Sequence, residues 1–101
     1  MKELIGANKG VMVYFYSSFC APCISLRPKV ESMMDSDFPQ MKLAFINAMI
    51  YPELSAEYGV FTSPSLLVYF EGKETLRESK YVSVEALQQK MNRYYEMVFE
   101  I

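Results

Sequence analysis

The chain has 101 residues, of which 51% are hydrophobic and 22% charged, so it is long enough to fold as one domain around a substantial core. Its net charge is −2 and it contains no run of basic residues, which argues against binding to nucleic acid or to an anionic membrane surface. The longest apolar run, VMVYFY, has six residues, whereas a membrane-spanning helix needs about 20. The first ten residues lack the apolar segment of a signal peptide. We therefore expect a single domain over residues 1–101, located in the cytoplasm and not in a membrane.

Taken in chain order, the hydrophobic periodicity predicts three helices and four strands after a short N-terminal helix. The predicted elements are helix 1–8, strand 11–16, helix 21–34, strand 41–47, helix 52–59, strand 65–70, strand 74–79 and a helix from Ser83 onward. Strand 11–16 is apolar at every position, which is typical of a central strand covered on both faces. The tight turn at Gly72 makes the last two strands antiparallel neighbours. This order predicts a mixed sheet with helices on both faces.

Two groups of side chains in the second half of the chain indicate which faces are buried and which are exposed. The last helix is expected to have one apolar face, at Val84, Leu87, Met91, Tyr94 and Val98. A solvated acidic face is expected at Glu71, Glu74 and Glu78.

Both cysteines of the chain, Cys20 and Cys23, lie at the junction between the first strand and the following helix. The free N–H groups and the dipole at a helix N-terminus favour a thiolate, so we expect the pKa of Cys20 to lie below the ~8.5 of a free thiol. Cys23 lies one turn further along the helix and faces inward. We therefore predict that an exposed Cys20 attacks a partner's disulfide and that a shielded Cys23 resolves the mixed disulfide.

Three other roles for the cysteine pair are weaker. A structural disulfide over so short a loop would remove little chain entropy from the unfolded state. Zinc needs two further ligands, and the chain has no His and no third Cys. An iron–sulfur cluster shared between two chains is disfavoured by Pro22, which stiffens the loop between the cysteines. We therefore predict a redox site with no metal and no cofactor.

Pro28 lies inside the predicted helix, where its missing N–H removes a hydrogen bond and bends the helix axis. Such a bend would tilt the first turn, which carries the cysteines, relative to the part of the helix that packs on the sheet. A kink that is merely tolerated is the alternative, and the spacing alone does not decide between the two.

Three landmarks occur together in this chain: FCAPC at 19–23, Pro28, and YGVFTSPSLLVYFEGK at 58–73. Together they resemble the thioredoxin family, in which the corresponding features are W-C-G-P-C, a proline that kinks the helix, and a segment in which a proline precedes an apolar strand. The likeness covers residues 11–98. It implies a thioredoxin-like three-layer α/β/α fold, without the family's first strand, whose four-stranded mixed sheet has the order 41–47, 11–16, 65–70, 74–79.

The resemblance implies a thiol–disulfide oxidoreductase that reduces or exchanges protein disulfides through its CAPC motif, with Ala21 and Pro22 tuning the loop. It also implies a cis peptide bond before Pro64 and a substrate docking surface on Phe19, Ser63 and Pro64. The implied partners are disulfide-containing proteins, with a reductase protein or a dithiol pool as electron donor. We expect the protein to be a monomer.

The sequence departs from the family's pattern behind the cysteine motif. Tyr14 stands where the family usually has a buried Asp, and Phe45 stands where it has a Lys. Proton transfer at Cys23 would then fall to solvent, and turnover would be slower, because general-base assistance is typically worth about 10²–10⁴-fold. The alternative function is a thioredoxin-fold protein-binding module with little redox turnover. A dedicated oxidase or isomerase is a third hypothesis, which would show a higher reduction potential.

Overall fold

The computed structural model describes all residues, 1–101, as four helices and four strands. The elements are α1 (Lys2–Ala7), β1 (Gly10–Tyr16), α2 (Ala21–Asp37), β2 (Lys42–Asn47), α3 (Pro52–Glu57), β3 (Ser65–Phe70), β4 (Lys73–Ser79) and α4 (Val84–Phe99). The largest difference from the predicted bounds is the end of α2, which continues to Asp37. The helix stops there because the residue before Pro39 is sterically disfavoured in a helix. None of the four helices is long and apolar enough to span a bilayer.

The four strands form one mixed sheet in the order β2-β1-β3-β4, as predicted, and no strand precedes β1. β1 pairs in parallel with β2 and antiparallel with β3, and β3 pairs antiparallel with β4. Phe15 lies opposite Ser65, which in turn lies opposite Ser79. The segments that follow Phe15, precede Ser65 and follow Ser79 therefore meet at one end of the sheet.

Two hydrophobic clusters cover the two faces of the sheet. The larger cluster lies between the sheet and helices α2 and α4, and it includes Met12 and Tyr14 from β1. The smaller cluster lies on the face of α1 and α3, and it includes Val11, Val13 and Phe15. Successive side chains of β1 thus alternate between two buried faces, which explains why this strand is apolar at every position.

The apolar face of α4 differs from the predicted face by one residue, because Tyr95 is buried and Tyr94 is exposed. Tyr95 packs edge-on against Phe38, with ring centroids 5.0 Å apart, whereas Tyr94 stacks on Phe70 at 5.9 Å. Positions three and four residues after Met91 both lie near its face of the helix. Spacing alone therefore does not distinguish the two tyrosines, and the contact with Phe38 does.

The hydroxyl of Tyr69, which belongs to the smaller cluster, has a raised pKa. Burial raises the pKa of Tyr69 from 10.0 to about 12, with Glu74 and Tyr58 adding to the shift and Arg77 opposing it. The folded state therefore holds this proton more tightly than the unfolded state. This contribution to the free energy of unfolding is therefore fully present below pH ~10 and is lost as the pH rises through about 12.

We predict that the free energy of unfolding, measured by urea denaturation, falls between pH ~10 and ~12 and that Tyr69→Phe reduces this fall. The variant lacks the group that ionises only after unfolding, while the other seven tyrosines contribute equally in both proteins. An equal alkaline loss of stability in wild type and variant would contradict this assignment.

Candidate active site

Cys20 and Cys23 form a disulfide at the N-terminus of α2, and their Cα atoms are 5.2 Å apart. Cys20 is the N-cap residue, and its Sγ accepts a hydrogen bond from the backbone N–H of Cys23 at 3.2 Å. A side chain in this position satisfies one of the helix's free N–H groups and lies where the helix favours negative charge. The structure therefore shows the oxidised form of the pair, with the Cys20 sulfur at the position that the sequence predicts.

The two cysteines differ less in exposure than the sequence predicts. Cys20 is expected to be exposed, but its exposed fraction is 7%, compared with 3% for Cys23. The reason is that the Cys20 side chain turns back over the helix end, where it bonds to the Cys23 sulfur and caps the helix. Cys20 nevertheless retains the larger exposed fraction of the two.

The prolines of the motif region occupy different parts of α2. Ala21 and Pro22 lie in the first turn and are exposed, and the missing N–H of Pro22 costs no helical hydrogen bond there. Pro28 lies inside the helix, where it deprives the carbonyl of Ile24 of its usual donor. The helix nevertheless continues to Asp37, and the effect of Pro28 on the orientation of the motif stays a prediction.

Tyr14 ties the central strand to the first turn of α2. Its hydroxyl donates a 2.7 Å hydrogen bond to the carbonyl oxygen of Cys23, and its ring packs against Phe45 at 5.5 Å. Burial raises the pKa of Tyr14 above its ordinary 10.0, while Arg27 opposes the shift and Glu31 adds to it. The hydroxyl therefore keeps its proton at neutral pH, and it acts here as a hydrogen-bond donor rather than as a base.

A small cavity of about 150 Å³ adjoins Cys23 and is also lined by Tyr14 and Arg27. The Arg27 guanidinium carbon lies 3.9 Å from the centre of the Phe45 ring, in cation–π contact, and its Nε pairs with Glu31 at 3.5 Å. Four of its seven lining residues are hydrophobic, and the polar ones include Ser17 and Ser18. A cavity of this size has room for water.

Pro64 lies at the same end of the sheet as the disulfide. The Ser63–Pro64 peptide bond is cis, as the family resemblance implies, and Pro64 is buried whereas Ser63 is partly exposed. The Pro64 carbonyl accepts a hydrogen bond from the N–H of Lys80 at 2.9 Å, and Ser65 Oγ donates to the Thr62 carbonyl at 2.8 Å. These bonds fix the end of the loop between α3 and β3.

Phe61 and Tyr81 are exposed aromatic residues near the site that the sequence prediction omits. The exposed fraction is 91% for Phe19, 81% for Phe61 and 97% for Tyr81. Phe61 precedes Pro64 by three positions and Tyr81 follows β4 by two, so the strand register places them with Phe19 at the disulfide end of the sheet. Large aromatic residues in short loops beside the landmark motifs were the available signal. We call these three residues the aromatic rim.

No group of three or more His, Cys, Asp or Glu side chains converges to form a metal site. The only two cysteines of the chain are bonded to each other. A zinc ion on these two sulfurs would need further ligands from outside the chain.

Comparisons with known proteins identify the family. A family model described as thioredoxin matches residues 1–93. The chain belongs to the thioredoxin family. Thioredoxin-like protein YdfQ of Bacillus subtilis is 34% identical over 97 residues, which cover 96% of this chain and 86% of that protein. Thioredoxin of Chlorobaculum thiosulfatiphilum is 31% identical over 71 residues, which cover 70% of this chain and 66% of that protein.

Solved thioredoxin structures share the fold. A mutant thioredoxin from Halobacterium salinarum superposes with a TM-score of 0.84 at 25% identity, covering 94% of this chain and 82% of that one. Fasciola hepatica thioredoxin gives a TM-score of 0.80 at 29% identity, covering 91% of this chain and 88% of that one. With the Cys20–Cys23 disulfide, this membership makes the protein a thiol–disulfide oxidoreductase. The thioredoxin family acts on disulfide substrates and is reduced by thioredoxin reductase.

We predict that Tyr14→Phe lowers the free energy of unfolding of the oxidised protein by about 1–2 kcal/mol, because the Cys23 carbonyl loses its side-chain donor. Urea denaturation of the oxidised protein measures this loss. Tyr16→Phe is the matched control, since Tyr16 borders the same cavity and its hydroxyl makes no hydrogen bond within the protein. Equal losses in the two variants would show that the Tyr14 hydrogen bond does not stabilise the site.

Proposed function

We propose that this protein reduces disulfides in other proteins, with Cys20 as the attacking thiolate and Cys23 as the resolving thiol. The observation that supports these roles is the N-cap position of Cys20, where its sulfur accepts the Cys23 N–H at 3.2 Å. In the reduced protein the same N–H and the end of the 17-residue helix favour the Cys20 thiolate. Ala21 and Pro22 fix the turn that keeps the second sulfur within reach.

In the first step the Cys20 thiolate attacks one sulfur of a substrate disulfide. A bond forms between Cys20 and that sulfur, and the other substrate sulfur leaves as a thiolate that takes a proton from solvent. Cys23 then loses its proton to solvent through the adjoining cavity and attacks Cys20 Sγ. The second substrate sulfur leaves as a thiolate, and the Cys20–Cys23 disulfide remains. Two electrons from a reductase protein or a dithiol pool restore the two thiols.

We infer that the substrate chain docks on the aromatic rim together with Ser63 and Pro64. Exposed aromatic side chains supply large apolar contact areas, and several of them at one end of a sheet mark a surface for binding. The rim lies at the same end of the sheet as the disulfide, so the residues that flank a substrate cysteine would contact it. The favoured substrates are polypeptides with apolar residues beside their disulfide.

The organisation and location of the protein complete the proposal. Residues 1–101 act as one thioredoxin-like domain, which is supported by two clusters that pack on a single sheet. We also propose that the domain acts as a monomer in the cytoplasm. The use of its two cysteines for a redox pair, rather than for structural bridges, supports this location.

A binding module with little redox turnover is the second candidate function. Tyr14 favours it, because this buried hydroxyl donates to Cys23 O and retains its proton, so that no acid–base side chain assists Cys23. Phe45 beside it carries no charge. Turnover separates the two candidates, whereas partner binding alone does not.

We predict that the protein accelerates the reduction of insulin by dithiothreitol and that Cys20→Ser removes this acceleration, because the attacking thiolate is lost. Cys23→Ser should instead accumulate a mixed disulfide with insulin, visible by mass spectrometry and non-reducing gel electrophoresis. Ser32→Ala, which lies two turns further along the same helix and away from the CAPC motif, is the control and should match the wild type. A wild-type rate no higher than the dithiothreitol background would contradict the enzyme and favour the binding module.

We predict that the triple variant Phe19→Ser, Phe61→Ser and Tyr81→Ser lowers kcat/KM for insulin by about tenfold or more, equivalent to about 1.4 kcal/mol of lost contact. The rate with bis(2-hydroxyethyl) disulfide should change little, because this small substrate does not reach the aromatic rim. Met97→Ser is the control, since Met97 is an exposed hydrophobic residue on α4. An undiminished rate with insulin would rule out docking on the rim, and equal losses on both substrates would indicate damage to the cysteine site.

A further inference from the structure

Arg77 on the edge strand β4 holds the C-terminal end of α3. Its Nη1 donates to the Gly59 carbonyl at 2.9 Å, and its Nη2 donates to the Tyr58 carbonyl at 2.7 Å. The last carbonyls of a helix have no partner within the helix, and a basic side chain is one of the groups that can satisfy them. The guanidinium thus caps α3 from a strand that follows it in sequence by about 20 residues.

Glu74 fixes the orientation of this guanidinium through two hydrogen bonds. Arg77 Nε donates to Glu74 Oε2 at 3.0 Å, and Arg77 Nη2 donates to Glu74 Oε1 at 2.7 Å. Such two-point contact between a carboxylate and a guanidinium is directional as well as strong. The contact lowers the pKa of Glu74 and raises that of Arg77. Both groups therefore remain charged through the neutral pH range.

An irregularity in the β3–β4 pairing puts the side chains of Glu74 and Arg77 on the same face of the sheet. Residues three positions apart in a regular strand point to opposite faces of the sheet. The register between β3 and β4 skips Thr75, so that Glu74 lies opposite Tyr69. This extra residue is a bulge of the kind that redirects side chains near functional sites. Glu74 and Arg77 consequently meet on the face that carries α3.

The hydrogen bonds from Arg77 to Tyr58 and Gly59 lie at the start of the loop that leads to the disulfide. Gly59 has a φ of +69°, and this left-handed residue ends α3 and directs the chain into residues 60–64. At the other end of the loop, the N–H of Lys80 donates to the Pro64 carbonyl. The β4 segment therefore holds both ends of the loop that presents Phe61.

We propose that Arg77, oriented by Glu74, is a positioning residue that presets the loop of residues 60–64 for protein substrates. The proposal rests on the docking surface inferred above. A loop that is already ordered does not lose conformational entropy when a substrate binds, so releasing it weakens substrate binding. The sulfur chemistry is supported separately by β1 and α2, and it does not depend on this contact.

The strand offers a matched control for the test. Glu78 lies on β4 as Glu74 does, but it pairs with Lys90 of α4 at 3.5 Å and makes no contact with the loop. The three carboxylates of the expected solvated acidic face are exposed or partly exposed, and two of them, Glu74 and Glu78, form ion pairs at the surface. Glu74→Gln and Glu78→Gln remove the same charge from the same strand, and only the first weakens the hold on the loop.

The experiment compares steady-state kinetics on insulin and on bis(2-hydroxyethyl) disulfide. We expect Arg77→Met to raise KM for insulin about three- to tenfold with kcat within about twofold, since only the ordering of the loop is lost. Arg77→Lys should behave similarly, because one ammonium group does not span two carbonyls and a carboxylate. Glu74→Gln should raise KM less, and Glu78→Gln should leave it unchanged. Kinetics on the small disulfide should be unchanged in all four variants.

Amide hydrogen exchange at Val60 gives a second measurement. Val60 N–H donates to the Ser55 carbonyl at 2.8 Å at the start of the loop, and its exchange should accelerate in Arg77→Met while that of Cys23 does not. An unchanged KM for insulin in Arg77→Met, or equal losses on both substrates, would overturn the proposal. If Arg77→Met does not fold, equal KM values in Glu74→Gln and Glu78→Gln would overturn it. A failure of the proposed function is distinguishable, because the wild type would then be inactive on both substrates. Even in that case, unchanged exchange of the Val60 N–H in Arg77→Met would refute the idea that Arg77 fixes the loop.

Discussion

The capping of α2 by the Cys20 sulfur is the interaction on which the rest of the site depends. It places the sulfur at the positive end of a long helix and within bonding distance of Cys23 in the same turn. The start of this helix is in turn fixed by β1, a strand that is buried on both faces and paired on both edges. The hydrogen bond from Tyr14 joins the strand to the helix directly. The most rigid part of the fold therefore sets the position of the reactive atoms.

The sequence is sufficient to predict those features that local periodicity determines. The apolar β1 predicts the central strand, the turn at Gly72 predicts the antiparallel pair, and the cysteine spacing at a strand-to-helix junction predicts the site. The low exposure of Cys20 could not be predicted, because it depends on the direction in which one side chain turns. The Glu74–Arg77 pair was hidden for a similar reason, since a period of two assigns these residues to opposite faces unless a bulge intervenes.

Tyr14 shows how one substitution shifts the balance between structure and chemistry. A carboxylate at this buried position could accept a proton from Cys23, but its charge would be costly to bury without a partner. The tyrosine removes that cost and adds a hydrogen bond to the helix, while its hydroxyl keeps its own proton. In the proposed mechanism, the cavity beside Arg27 is the route by which Cys23 exchanges protons with solvent. Tyr14 thus stabilises the start of the helix and, because it keeps its proton, does not serve as a base there.

The two halves of the site are held by different kinds of forces. The sulfur atoms depend on apolar packing of β1 and α2, which is insensitive to charge. The loop of residues 60–64 depends on polar contacts from β4 and the residue after it, where Arg77 and the N–H of Lys80 hold its two ends. Contacts of the second kind lie at the surface and can change without disturbing the core. If substrates dock on this loop as proposed, their preference would vary through β4 and the loop, while the redox chemistry would stay with the central strand and helix.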